Sequence, residues 1–155
     1  MTSIRVFTAV AFAALTMTTA HAQGGQPSLT GRWEVTQAAI APWVGDKVAL
    51  VRESEVRKLL KQRVTFSARA AASQYPALNC AEATYQPTRV PAAGLFQGAL
   101  PEPHQASFAK AIGFTSGEIA GFDMACPNAR FSFHFRDRDT LLFALDNVIY
   151  TLKRR

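Results

Sequence analysis

The chain has 155 residues, 17 of them lysine or arginine against 11 aspartate or glutamate, and is 48% apolar, with a formal charge of +6. This is one domain's worth of chain, enough to bury a core and too little for two. A basic balance of this size raises nucleic acid as a partner, a class that the start of the chain sets aside.

Met1 to Ala22 reads as a secretory signal peptide. A basic start (Arg5) precedes an apolar stretch from Val6 to about Thr18, and the small-residue sequence Ala20-His21-Ala22 precedes a polar run, Gln23-Gly24-Gly25-Gln26. The stretch is too short to span a bilayer and is diluted by Thr8, Thr16, Thr18 and Thr19. No cysteine follows the cleavage point, so no lipid anchor and no stable membrane insertion are expected. The mature chain, 133 residues from Gln23, is expected to be periplasmic or secreted, and without Arg5 it carries 16 basic and 11 acidic residues, a net +5. Export leaves anionic envelope polymers, membrane headgroups or an acidic protein as partners for that charge. The basic residues are scattered except at Arg57-Lys58, at Lys61 and Arg63, and in the tail Lys153-Arg154-Arg155.

Residues 23–28, with Gly24, Gly25 and Pro27, are expected to form a flexible arm ahead of a single domain, 29–155. In Gly31 to Ile40, Trp33, Val35 and Gln37 alternate against Arg32, Glu34 and Thr36, the period of a half-buried strand. Ala49 to Gln62 places Val51, Val56, Leu59 and Leu60 at helical spacing opposite Arg52, Glu53, Arg57, Lys58 and Lys61, which predicts a short amphipathic helix. Arg63 to Ala70 predicts a strand with Val64, Phe66 and Ala68 on one face. Ala81 to Val90 predicts another, closed by Pro87 and Pro91, and Leu95 to Gly98 a short extended piece. Pro103 to Ile112 reads as a helix capped by Gly113. Glu118 to Cys126 alternates again, and Arg130 to Arg136 sets Phe131, Phe133 and Phe135 on one face. The turns Asp137-Arg138-Asp139 and Asp146-Asn147 then separate two last strands.

Seven to eight short strands, each with one apolar face, predict a mainly β fold: a small up-and-down antiparallel β-barrel with one or two short helices, in which closure covers the sheet edges. Cys80 and Cys126 are the only cysteines. An even count in an oxidising compartment predicts a disulfide, and their separation excludes a C-x-x-C motif. Closing that loop stabilises by roughly 4 kcal/mol in the chain-entropy model.

Gly31-Arg32-Trp33 resembles the opening strand of lipocalin-like barrels, whose signature is Gly-x-Trp. The resemblance implies that Trp33 sits at the closed end and that a basic residue after the last strand, here Arg154 among Lys153 to Arg155, stacks on it. A weaker similarity joins the chain to the periplasmic metalloprotease-inhibitor barrels, which are exported and compact, with one disulfide, an early Gly-x-Trp and a basic C-terminus. In that family the N-terminal segment enters the protease cleft, a part that residues 23–29 would take here. Lysozyme inhibitors share the architecture, but a +5 inhibitor meets basic lysozymes with unfavourable long-range electrostatics.

His104 and His134 are the only histidines of the mature chain. His134 lies opposite the phenylalanine face, pointing at solvent or into a polar lumen, and with Asp123 and Glu82 it makes the candidate polar site. No Gly-x-Ser-x-Gly elbow, phosphate loop, His-Glu-x-x-His or paired-histidine spacing is present, so neither an enzyme nor a metal or cofactor is expected. A barrel of this size is either filled by side chains or hollow enough for one small ligand. Ala68, Ala70, Ala81, Ala83 and Gly121 leave room for the second arrangement. The expected function is a monomeric, non-enzymatic binding protein for a small apolar ligand or an envelope protein. The alternative is an inhibitor of an exported hydrolase acting through the N-terminal arm or the loop Gly94 to Pro103.

Overall fold

The computed structural model describes residues 27–115 and 117–155, so the expected signal peptide and the first residues of the arm lie outside the described residues. The strands are β1 (Gly31–Ile40), β2 (Arg63–Phe66), β3 (Ala71–Ser73), β4 (Thr84–Val90), β5 (Ile119–Cys126), β6 (Ala129–Asp137), β7 (Thr140–Leu145) and β8 (Val148–Arg154). All eight form one antiparallel sheet in the order β3-β2-β1-β8-β7-β6-β5-β4, curled into a half-barrel. This is the up-and-down order of an eight-stranded barrel, interrupted by a seam between β3 and β4.

The seam is tied from the connection between those two strands. Ala71 and Cys80 exchange backbone hydrogen bonds of 2.8 and 2.7 Å, the Ala83 N–H donates to the Arg69 carbonyl (2.7 Å), and the Tyr85 hydroxyl donates to the Ala70 carbonyl (2.8 Å). The expected disulfide, Cys80 to Cys126, fastens the connection to the end of β5. Because β4 is an edge strand, Pro87 sits within it, opposite Phe122, without costing a ladder bond.

Alternation places Trp33, Val35, Val64, Phe66, Met124, Phe131, Phe133, Phe135, Leu141, Phe143, Tyr150 and Leu152 on the concave face, all buried. Their rings interlock: Phe133 lies 5.1 Å from Phe66 and 5.2 Å from Phe143, which stacks at 5.5 Å on Tyr150. Each such ring contributes roughly 2–3 kcal/mol over an exposed position, with a further ~1 kcal/mol from edge-to-face pairs. The last two hairpins follow the sequence. Asp137 pairs with Thr140 and accepts the Asp139 N–H at 2.9 Å, and Leu145 pairs with Val148 around Asp146 at φ 54°.

Three segments differ from expectation. The amphipathic stretch yields only α1 (Glu53–Arg57), preceded by a 3-10 segment, Pro42–Leu50. Helix stops there because Lys61, at φ 67°, and Gln62 bond back to Val35 as a backbone pair. That pairing accompanies a bulge between Val35 and Gln37, which turns Gln37 outward. The strand expected to Ala70 ends at Phe66, and a turn closed by Ser67 and Ala70 makes it a hairpin with β3, leaving Ala68 exposed. Residues 95–98 do not make a strand: they form the kinked end of a 3-10 segment, Ala92–Gly98, in which Leu95 alone is extended and Phe96 and Gln97 turn left-handed at φ 51° and 63°. The later helix, α2 (Gln105–Ala111), ends as expected before Gly113, at φ 92°.

These segments build a second apolar layer on the convex face. Val44, Leu95, Phe96, Leu100, Ala109 and Phe114 pack over Ile119, Leu142 and Ile149. Part of the outer sheet surface is thereby covered, which the single-faced strand pattern does not anticipate.

Candidate functional site

Both ends of the half-barrel are plugged. At one end the Trp33 ring, fully buried, donates its indole N–H to the Leu29 carbonyl at 2.8 Å. Trp33 pairs across β1 and β8 with Arg154, whose guanidinium carbon lies 4.2 Å from the ring centroid. The same guanidinium donates to the carbonyls of Ser28 and Thr30 and to Asp139 at 3.1 Å. Gly31 holds φ 135°, a conformation that favours glycine, and a Cβ there would also stand 2.8 Å from Arg154 Nη1 and push the guanidinium aside. The trio Gly31, Trp33 and Arg154 is therefore brought together. Ser28, the last residue of the expected arm, is held by it.

At the other end, Leu59 enters the core fully buried, with Val56 and Leu60 packed against it. The Tyr150 hydroxyl donates to the Glu55 carbonyl at 2.7 Å, and burial raises its pKa to about 12. Of the small residues expected to leave room inside, Ala68 and Ala81 are exposed and Gly121 lies on the convex face with His134.

His134 is only 2% exposed, a correction to the expectation that it faces solvent or a polar lumen. It lies on the convex face under the 3-10 segment, where its Nε2 accepts the Phe96 N–H at 3.0 Å and its ring meets the Phe96 ring edge-on at 5.1 Å. An acceptor at Nε2 puts the proton of the neutral ring on Nδ1, which has no hydrogen-bond partner among the described residues. Burial pushes the imidazole pKa down to about 4, against a smaller upward pull from Asp123.

Asp123 joins the same outer row. Its carboxylate accepts the Ser132 hydroxyl at 2.7 Å, and the Gln97 amide donates to Ser132 at 3.4 Å. The serine hydroxyl is thus directed at a carboxylate, while the imidazole lone pair is taken by a backbone N–H, so this row does not compose a nucleophile and base. Glu82 is not brought to it. Glu82 lines a recess beside Cys80, Cys126 and Pro127. The β4 end nearest to it, Thr84, pairs with Ala125, four residues (~13 Å of strand) from Gly121, the partner of His134.

A cluster not legible in the sequence surrounds Glu34. Strand pairing sets Glu34 opposite Arg63 and Lys153, and the tail brings Arg155 beside it. Arg155 binds the carboxylate through two nitrogens at 3.2 and 3.0 Å, and Arg63 lies at 3.4 Å. The Arg155 hydrogen bond holds the Glu34 carboxyl below its ordinary range, against the pull of desolvation, and Arg63 adds to it. Two adjoining grooves share Glu34, Arg63 and Thr65; Arg32 and Arg155 line one, and Lys61, Ser73, Gln74 and Asn79 the other. The sequence shows these cations as separate clusters up to 123 positions apart (Arg32 to Arg155).

Among the described residues, no three of histidine, cysteine, aspartate and glutamate are placed to hold a metal ion, and no helix is long and apolar enough to cross a membrane. No protein-family model, no curated protein and no solved structure matches the chain.

Proposed function

We propose that the chain is an exported, non-enzymatic binding protein built on a lipocalin-like barrel, and that it engages another envelope or secreted protein through its outer surface. The observation that carries this reading is the interior: interlocked rings fill it, and Trp33 with Arg154 and Leu59 with Tyr150 plug its ends. A carrier of a small apolar molecule needs a lumen that buries most of its ligand. The lipocalin-like part rests on the Gly31, Trp33 and Arg154 contact, and the exported part on Met1 to Ala22 together with the disulfide. The inhibitor alternative has less to draw on, since Ser28 and Leu29 are tied down and Leu95, Phe96 and Leu100 are buried rather than free to act as a wedge.

Native mass spectrometry of the mature protein, purified from an envelope extract, tests the reading. The expected spectrum contains the polypeptide mass alone or with a protein partner. One equivalent of a co-purifying apolar molecule overturns it in favour of a carrier.

A further inference from the structure

We infer that the groove around Glu34, across the outer face of β1, β2 and β3, docks an acidic, extended segment of a partner protein. This rests on the reading of the chain as a surface binder and names the site and the partner's chemistry. Four cations, Arg32, Lys61, Arg63 and Arg155, line the two joined grooves, and Glu34 is the only side-chain carboxylate among their lining residues, a side-chain net of +3. The described chain as a whole carries +5, so most of its excess charge gathers on one face. Glu34 is already satisfied by Arg63 and Arg155, whereas Arg32 and Lys61 have no carboxylate partner among the described residues. Two cations thus stand ready for charges that the chain does not supply.

The remaining lining chooses among anionic partners. Thr65 and Gln74 offer hydrogen-bonding groups suited to peptide N–H and C=O, while Ser73 and Asn79, whose side-chain oxygens already accept the N–H groups of Tyr75 and Ser73, keep donors for C=O. Trp33 is the only aromatic lining residue of the two grooves and is fully buried, so no ring is presented to stack on sugars. The one exposed large apolar residue among those described, Val48, belongs to the Pro42–Leu50 segment and lines neither groove, so the face offers no apolar anchor for a bilayer. Crossing from β1 to β3 covers two strand spacings, and with the flanking side chains about 13 Å, the length of four extended residues. Two or three carboxylates within such a stretch match the available cations.

The test titrates the mature protein into a fluorescein-labelled peptide, Gly-Glu-Asp-Gly-Glu-Asp-Gly, with its Gln/Asn counterpart as control, by anisotropy at 20 and 200 mM NaCl. Saturable binding of the acidic peptide alone, weakened by salt, is expected. The double variant Arg32→Gln, Lys61→Gln should lose at least tenfold in affinity, while Lys110→Gln on α2 should bind as the unaltered protein does. Circular dichroism checks that all variants are folded. Equal binding of both peptides, no binding, or an unaffected double variant overturns the inference. So does capture by vesicles of anionic phospholipid, or by a sulfated polysaccharide, without binding of the peptide. Failure of the peptide leaves the surface-binder reading standing on another face, whereas a retained lumenal molecule removes that reading itself.

Discussion

Arg154 stacks on Trp33 at 4.2 Å while its fork holds the carbonyls of Ser28 and Thr30, so one side chain joins the last strand, the first strand and the segment leading into it. Arg154→Ala removes the cation–π contact and leaves the carbonyls to water, and is expected to cost about 2 kcal/mol in urea unfolding followed by tryptophan fluorescence. Arg154→Lys should recover at most half, since one ammonium cannot span both carbonyls and the ring. Gly31→Ala, which combines a close contact with φ 135°, should cost about as much. A loss below about 0.5 kcal/mol for Arg154→Ala would make the stack ornamental.

His134 predicts a pH dependence. The unfolded chain protonates this imidazole near pH 6.5, while the folded one does so only near pH 4. Between those values the unfolded state holds more protons, so stability rises with pH and is lost as pH falls from about 6.5 toward 4. The integrated effect is roughly 3 kcal/mol, and a proton on Nε2 also breaks the bond from the Phe96 N–H. His134→Gln should flatten that part of a stability-versus-pH curve measured by chemical denaturation. An unchanged slope in the variant would assign it to the carboxylates.

The Cys80–Cys126 bond ties the connection between β3 and β4 to the end of β5. Reduction, or the double change to alanine, should cost about 4 kcal/mol, the loop-closure value for a 46-residue separation. Thiol titration of the unfolded, unreduced protein should find no free thiol; two thiols would remove the bond from the account.

Phe133 touches Phe66, Phe131 and Phe143. Phe133→Ala should destabilise by about 3–5 kcal/mol and leave a cavity, with Phe133→Leu losing less. A cost under about 1 kcal/mol would mean a loosely packed interior.

How much of this was legible depended on the range of the cause. Strands β5 to β8 follow from local alternation, as in Phe131, Phe133 and Phe135, and from the turn residues at Asp137 to Asp139 and Asp146. The length of the helix after Val51 did not, because Lys61 and Gln62 answer to Val35, a contact 26 residues back along the chain. The burial of His134 was equally hidden: strand period sets it on the outer face, but its cover comes from Phe96, 38 residues earlier. The trio of Gly31, Trp33 and Arg154 was reached through a family resemblance, since spacing alone does not bring residues 33 and 154 together. The cations around Glu34 were visible as clusters, yet only the pairing of β1 with β2 and β8 collects them.

With interlocked rings filling the interior, the proposed binding falls to the outer surface. The most direct test is titration of the folded protein with a fluorescent fatty acid, read by probe emission and by energy transfer from tryptophan, with Phe133→Ala as a deliberately opened comparison. No saturable binding to the unaltered protein is expected. Saturation at one probe per chain, with transfer from Trp33, would contradict it.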